Sequence, residues 1–279
     1  MRALCIATVS CFLSFGCSQP KDPKGIVAMT PSLSEAVWEI APEKLIATSP
    51  YTTDPRAENL IRVQSTGSLE TIVSLHPELV LLHSSDQALA DKLRTMGIAT
   101  MTHDMDTIED VRATIDDLGK FLHLDDRAAE IQKRLTKELS ENAAHWHREK
   151  PTPILVIVDR LDMRMMQFYT AQEPSYIAEL VSGCGFAPIA VGSQPWSRIE
   201  AEKLIQMDPT TIVFLARSRE DADEVRKQFI QNYPQLHAVR SGRVLFYGNP
   251  DITVPGPEMG KRQRVLCEAL EGVGKEKRK

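Results

Sequence analysis

A chain of 279 residues, 42% hydrophobic and 25% charged, has room for one large or two modest domains. Its formal net charge of -5 argues against nucleic acid as a partner. The basic run Lys275-Glu-Lys-Arg-Lys279 reads as a solvated end.

In chain order, Arg2 supplies a positive start, Ala3 to Phe15 is apolar or small, and Gly16-Cys17 follows. This pattern predicts an export signal over 1–17, too short to span a bilayer by itself. Gly16-Cys17 is similar to a bacterial lipoprotein cleavage site, which would make Cys17 the lipidated first residue. A plain secretory signal is the alternative. Residues 18–24 read as a polar tether. Cys5 and Cys11 leave with the signal, so Cys184 and Cys267 remain, either paired in an oxidising compartment or as buried free thiols. No C-x-x-C spacing exists.

Gly25 to Met29 predicts a strand. Ser32 with Glu35 three residues on predicts a capping box and a helix to about Ile40. Leu45 to Thr48 is a second strand. A helix from Ser68 or Leu69 to Leu75, a proline turn and the strand Leu79 to Leu82 follow. Leu89 to Met96 is helical with Gly97 as its cap, and Ile98 to Met101 is a strand. From Thr107 to about Arg148 apolar residues recur at helical spacing, broken at Leu124-Asp125-Asp126 with Asp125 as N-cap. The pattern then resumes: strand Pro153 to Val158, helix Tyr176 to Val181, strand Ile212 to Leu215, helix Glu220 to Phe229, strand Val244 to Tyr247 and helix Gly260 to Leu270.

A twelve-residue pattern occurs twice, 132 positions apart: Glu70-Thr-Ile-Val-Ser-Leu-His-Pro-Glu-Leu-Val-Leu and Glu202-Lys-Leu-Ile-Gln-Met-Asp-Pro-Thr-Thr-Ile-Val. The distance from opening strand to repeat glutamate is also similar, 44 residues from Ile26 to Glu70 and 48 from Ile154 to Glu202. The expected class is therefore α/β: two Rossmann-like lobes, mostly parallel, over 25–106 and 151–272, joined by a long helix within 107–150. Residues 273–279 form the basic tail.

The chain contains no G-x-x-x-x-G-K-[ST], G-x-G-x-x-G, H-E-x-x-H or G-x-S-x-G pattern, and none of the enzyme classes they mark is expected. Ligands of open α/β sheets lie beyond the carboxyl ends of the strands. Residues there, with two further aromatic stretches, give the candidate binding set Ser32, Tyr51, Ser84, Ser85, Phe168, Trp196, Arg217 and Asp251. Tyr and Trp among small polar groups suit a large, partly apolar ligand. A resident metal is not expected. The rival reading is a metal-assisted hydrolase using His83, His103 and Asp104, for which the second unit offers only Asp159, Asp162 and Asp251 as comparable ligands.

Ile26-Val-Ala-Met-Thr-Pro-Ser-Leu-Ser-Glu35, the Leu69 to Val80 segment and Pro255-Gly-Pro257 resemble the periplasmic substrate-binding proteins of ABC importers for ferric siderophores, haem and vitamin B12. The resemblance covers Gly25 to Leu270. It implies two lobes braced by one long rigid helix and a monomer in the periplasm, membrane-anchored if Cys17 is lipidated. It also implies no resident cofactor, and a small-molecule ligand, cobalamin or an iron chelate, passed to an ABC permease and its ATPase. Within the family the likeness is greatest to the branch that binds vitamin B12. That branch implies a Cys184–Cys267 disulfide and pocket roles for Tyr51 and Trp196. Three departures weaken the match to that ligand: Asp54 replaces an aromatic, Gln64 to Ser68 lacks a tryptophan, and Glu258 stands where an arginine is usual. Arg160, Arg198 and Arg217 would serve an anionic siderophore instead. The resemblance also assigns Glu70 and Glu202 to permease docking. A carboxylate in the first turn of a helix suits the helix dipole in either case.

Overall fold

The computed structural model describes residues 25–64 and 69–273. The expected signal, Cys17, the tether, residues 65–68 and the tail from 274 lie outside the described residues.

The first lobe runs β1 (Ile26–Ala28), α1 (Pro31–Ile40), β2 (Leu45–Thr48), β3 (Ile61–Arg62), α2 (Leu69–Ser74), β4 (Leu79–His83), α3 (Gln87–Thr95) and β5 (Thr100–His103). Its sheet has the order β3-β2-β1-β4-β5, every pair parallel. Central strands of such a sheet are covered on both faces, which is why β1 is apolar and buried throughout. Gly97 (φ 79°) ends α3 as the sequence predicts. The expected capping box at Ser32 is displaced. Thr30 caps α1, its side chain accepting from the Leu33 N–H at 3.2 Å, and Pro31 opens the first turn. Proline pre-sets φ there and has no N–H to leave unpaired, so the helix begins earlier than the Ser-x-x-Glu pattern indicates.

The helical region divides into α4 (Ile108–Leu122) and α5 (Asp125–His145). Thr107 and Asp110 form a capping box at the start of α4. His123 takes a left-handed conformation that reverses the chain, and Leu124, not Asp125, occupies the N-cap of α5. The two helices pack as an antiparallel hairpin, Arg112 meeting Gln132 and Thr136. The 21 residues of α5 span about 30 Å at 1.5 Å each, so α5 alone is the long brace.

The second lobe comprises β6 (Thr152–Arg160), β7 (Gln167–Ala171), α6 (Tyr176–Ser182), β8 (Phe186–Pro188), β9 (Trp196–Glu200), α7 (Ala201–Met207), β10 (Ile212–Leu215), α8 (Arg219–Asn232), α9 (His237–Arg240), β11 (Val244–Tyr247) and α10 (Met259–Glu271). Its sheet order is β11-β10-β6-β7-β9, with β8 pairing the start of β6. Both copies of the repeat do the same job: β4 pairs in parallel with the opening strand β1, and β10 with β6. The lobes differ on the other side of the opening strand, where β7 runs antiparallel to both β6 and β9.

One continuous core crosses the molecule. Ile26 and Leu33 of the first lobe, Leu118 and Leu135 of the brace, and Ile154, Leu180 and Leu266 of the second belong to a single buried cluster. A disulfide joins Cys184, after α6, to Cys267 in α10, with Cα atoms 5.0 Å apart. Glu35 of α1 is ion-paired with Arg262 of α10 and accepts the Glu258 N–H at 3.2 Å. The Glu35 carboxylate lies against Gly256, leaving no room there for a side chain.

Candidate functional site

Between the lobes lies a cleft of about 320 Å³, at the lower end of the roughly 300–1,000 Å³ usual for small-molecule sites. The first lobe lines it with Thr30, Ser32, His83, Asp104, Met105 and Asp106. The second contributes Tyr169, Tyr176, Trp196, Thr253 and Pro255.

Local structure places each wall. Thr30 and Ser32 sit in the turn from β1 into α1. His83 ends β4, and Asp104 to Asp106 leave β5, so both segments open at the carboxyl edge of the sheet. Tyr169 projects from the middle of β7, paired with Arg198 of β9, while Ala171 pairs with Trp196. The Tyr169 and Trp196 rings stack at 6.2 Å with an 11° interplanar angle, and Tyr176 meets Trp196 edge-on at 5.8 Å. Asp106 ties this wall to the other lobe. Its Oδ1 accepts from Trp196 Nε1 at 3.0 Å, and its carbonyl from the Tyr176 N–H at 2.8 Å. Burial pushes the Tyr176 phenol well above its usual range, so it remains a neutral group.

Of the candidate binding residues, Ser32 and Trp196 line the cleft. Ser84 and Ser85 are not among its lining residues but hydrogen-bond to residues that are. Ser84 Oγ donates to Asp104, and Ser85 Oγ lies 2.8 Å from His83 Nδ1, so the two serines orient cleft residues. Tyr51 is 78% exposed on the loop after β2. That loop borders a separate side pocket of about 180 Å³ lined by Glu35, Trp38, Thr52, Asp54, Asp251 and Arg262, among others. Asp251 therefore belongs to the side pocket. Arg217 is exposed and held by Asp159 at 2.6 Å, and Arg160 by Asp221 at 3.0 Å.

Phe168 does not line the cleft. It is fully buried, packed edge-on against Phe214, Phe229 and Tyr233 in the second lobe's own core. Strand alternation sends Phe168 inward and its neighbour Tyr169 toward the cleft. The metal-assisted reading also loses its constellation. His83 and Asp104 line the cleft, but His103 faces a different pocket with Asp117, Lys120 and Phe121 of α4, and burial holds its imidazole below the usual range. Among the described residues no group of three or more His, Cys, Asp or Glu side chains could hold a metal.

The sequence reading missed Thr30, Asp106, Tyr169 and Tyr176. Tyr169 was signalled by the period of its strand. Tyr176 was signalled by the N-cap Ser175, whose side chain accepts from the Ala178 N–H and starts α6 at the cleft. Nothing local marks Asp106.

Glu70 and Glu202 are both exposed, in the first turns of α2 and α7. Each helix turns back within a few residues into β4 or β10. Its start therefore lies at the end of the sheet where that strand finishes, which is the cleft end. Among the described residues no helix is long and apolar enough to cross a membrane.

No curated protein sequence matches the chain. Solved structures do. The periplasmic heme-binding protein RhuT from Roseiflexus sp. RS-1, in apo form, is similar at TM-score 0.75 and 17% identity, covering 90% of this chain and 99% of that one. The periplasmic vitamin B12 binding protein BtuF of Vibrio cholerae is similar at TM-score 0.71 and 20% identity, covering 91% and 99%. A periplasmic heme binding protein from Pseudomonas aeruginosa gives 0.72 and 21%, covering 89% and 92%. At these identities the likeness establishes the two-lobed fold. The family model for the periplasmic binding proteins matches residues 26–250, and the chain belongs to that family.

Proposed function

We propose that this substrate-binding protein captures a corrinoid in the interlobe cleft and delivers it to an ABC permease on the outer side of the inner membrane. The observation that carries the ligand class is the charge of the cleft. Its lining includes the carboxylates of Asp104 and Asp106, and among the described residues that line it there is no Lys or Arg. A polyanionic ferric chelate, or haem with its two carboxylates, would meet like charge there without a cation to offset it. A near-neutral macrocycle edged with amides finds stacking surface on Tyr169 and Trp196. Its N–H groups find acceptors in Asp104, Thr30 and Ser32.

Titration calorimetry against cyanocobalamin, haem and a set of ferric siderophores tests this. Cyanocobalamin is expected to bind without turnover and more tightly than the others. Binding of haem or a siderophore with no response to cyanocobalamin would overturn the corrinoid assignment while leaving the carrier role. For delivery, Glu70→Ala combined with Glu202→Ala should impair uptake and leave ligand affinity intact. A matching loss of affinity would contradict the docking role.

A further inference from the structure

Among the described residues, the β6–β7 hairpin has no counterpart in the first lobe, and its tip holds apolar side chains in water. Leu161, Met163 and Met166 are 39%, 69% and 45% exposed. The tip is nevertheless rigidly built. The Asp162 carboxylate accepts backbone N–H groups from Arg164, Met166 and Gln167 at 2.8, 2.9 and 2.8 Å. Met165 is fully buried in a left-handed conformation (φ 56°), and its carbonyl accepts from the Tyr233 hydroxyl. Asn232 Nδ2 donates to the Arg164 carbonyl at 3.3 Å. Such a turn pays little ordering entropy on meeting a partner, while its thioethers adapt to the surface they meet.

The tip stands beside the docking glutamate. The Met166 carbonyl accepts the N–H of Ala201, the first residue of α7, at 2.8 Å, and Gln167 Nε2 donates to Glu200 at 3.1 Å. Glu202 follows in the same turn, and Ile205, 42% exposed, lies one turn on. Negative charge from Asp162 and Glu202 reinforces the effect of burial in pushing the Tyr233 phenol up to about 12, consistent with their proximity. None of Leu161, Met163, Met166, Glu202 and Ile205 lines the cleft.

We propose that the hairpin tip and Glu202 form one docking surface for the permease, whose matching face presents a basic group ringed by apolar side chains. The assignment rests on the docking reading of Glu202. The exposed Glu200 and Glu202 carboxylates, on a chain of net charge -5, favour a cationic protein face over an anionic lipid surface. Among the described residues, the first lobe offers Glu70 without a hairpin. The contact is therefore one-sided, and it fixes which lobe meets which half of the partner.

The test is photo-crosslinking of the full chain in membranes of cells that encode it, with a photoreactive residue at Met163 or, separately, at Lys203 beside Glu202. Adducts are identified by peptide mass spectrometry. Both positions are expected to capture the same permease subunit. Met163→Ser with Met166→Ser should lower the Lys203 adduct at least about tenfold, with unchanged cyanocobalamin affinity and circular dichroism. Capture from Lys203 but not from Met163 would overturn the hairpin surface and leave the docking glutamate standing. Capture of lipid or of a second copy of the chain from Met163 would assign the tip to those occupants instead. Capture from neither position would remove the docking reading and this surface together.

Discussion

The two lobes arrange the same strands around the repeat and yet give the cleft opposite chemistry. In the first lobe, β1 is flanked by parallel strands on both sides, and the sheet edge delivers hydroxyls, an imidazole and two carboxylates. In the second, the place beside β6 that corresponds to β2 is taken by antiparallel β7, and that replacement brings Tyr169 against Trp196. One wall is polar where the strands beside the opening strand are all parallel. The other is aromatic where an antiparallel strand takes that place. The same hairpin stands beside Glu202 on the outer face of the second lobe.

The sharpest way to break this comparison is to ask whether the lobes are separate units at all. The core shared by β1, α5 and α10 predicts a single unfolding transition, and two resolved transitions in calorimetry would show independent lobes. The largest effect should come from the Cys184–Cys267 disulfide, which closes a loop of 83 residues. Cys184→Ser with Cys267→Ser should cost about 4–5 kcal/mol in the chain-entropy model, read from urea unfolding. Next is the seam between the lobes. Arg262→Ala strands a Glu35 that is 4% exposed, at a cost of about 3–5 kcal/mol. A loss below 1 kcal/mol would mean that the seam contributes little.

The cleft walls should separate by magnitude. Trp196→Ala removes half of the stacked pair and should weaken cyanocobalamin binding by about 2 kcal/mol, near thirtyfold. Ser32→Ala or Asp104→Asn each alters one hydrogen-bonding group and should cost about 0.5–1.5 kcal/mol. If the polar wall proves the more costly, the division of labour between lobes is the wrong way round.

These walls also show what the sequence could and could not reveal. Repeat, strands and brace were legible because they rest on local periodicity and on a pattern occurring twice. Trp196 was legible because it follows Gly192-Ser-Gln-Pro195, a turn sequence that sets it at an element boundary. Phe168 was misread by one position: in a strand, that error exchanges the core face for the cleft face, so the cleft-facing ring is Tyr169. Asp106 and the Glu35–Arg262 pair were beyond local reading, because their partners lie 90 and 227 residues away. Glu35 looked like half of a capping box, when its carboxylate in fact crosses to the other lobe.

That carboxylate also gives the smallest and most discriminating prediction. Burial pushes Glu35 above its ordinary value of 4.5, although Arg262 pulls the other way. The folded state therefore binds this proton more tightly than the unfolded chain does. The stability it confers is complete below 4.5 and is lost as pH rises through the higher folded value. Asp54 has the opposite sign, since Arg56 holds it below its usual range and its contribution fades on acidification. Comparing the protein with its Glu35→Gln variant across pH cancels Asp54 and isolates the seam. The stability difference should move in favour of the unsubstituted protein as pH falls from neutral toward 4.5. A difference that moved the other way would show that pairing with Arg262 outweighs burial. The Glu35–Arg262 pair would then be a net stabilising contact at neutral pH.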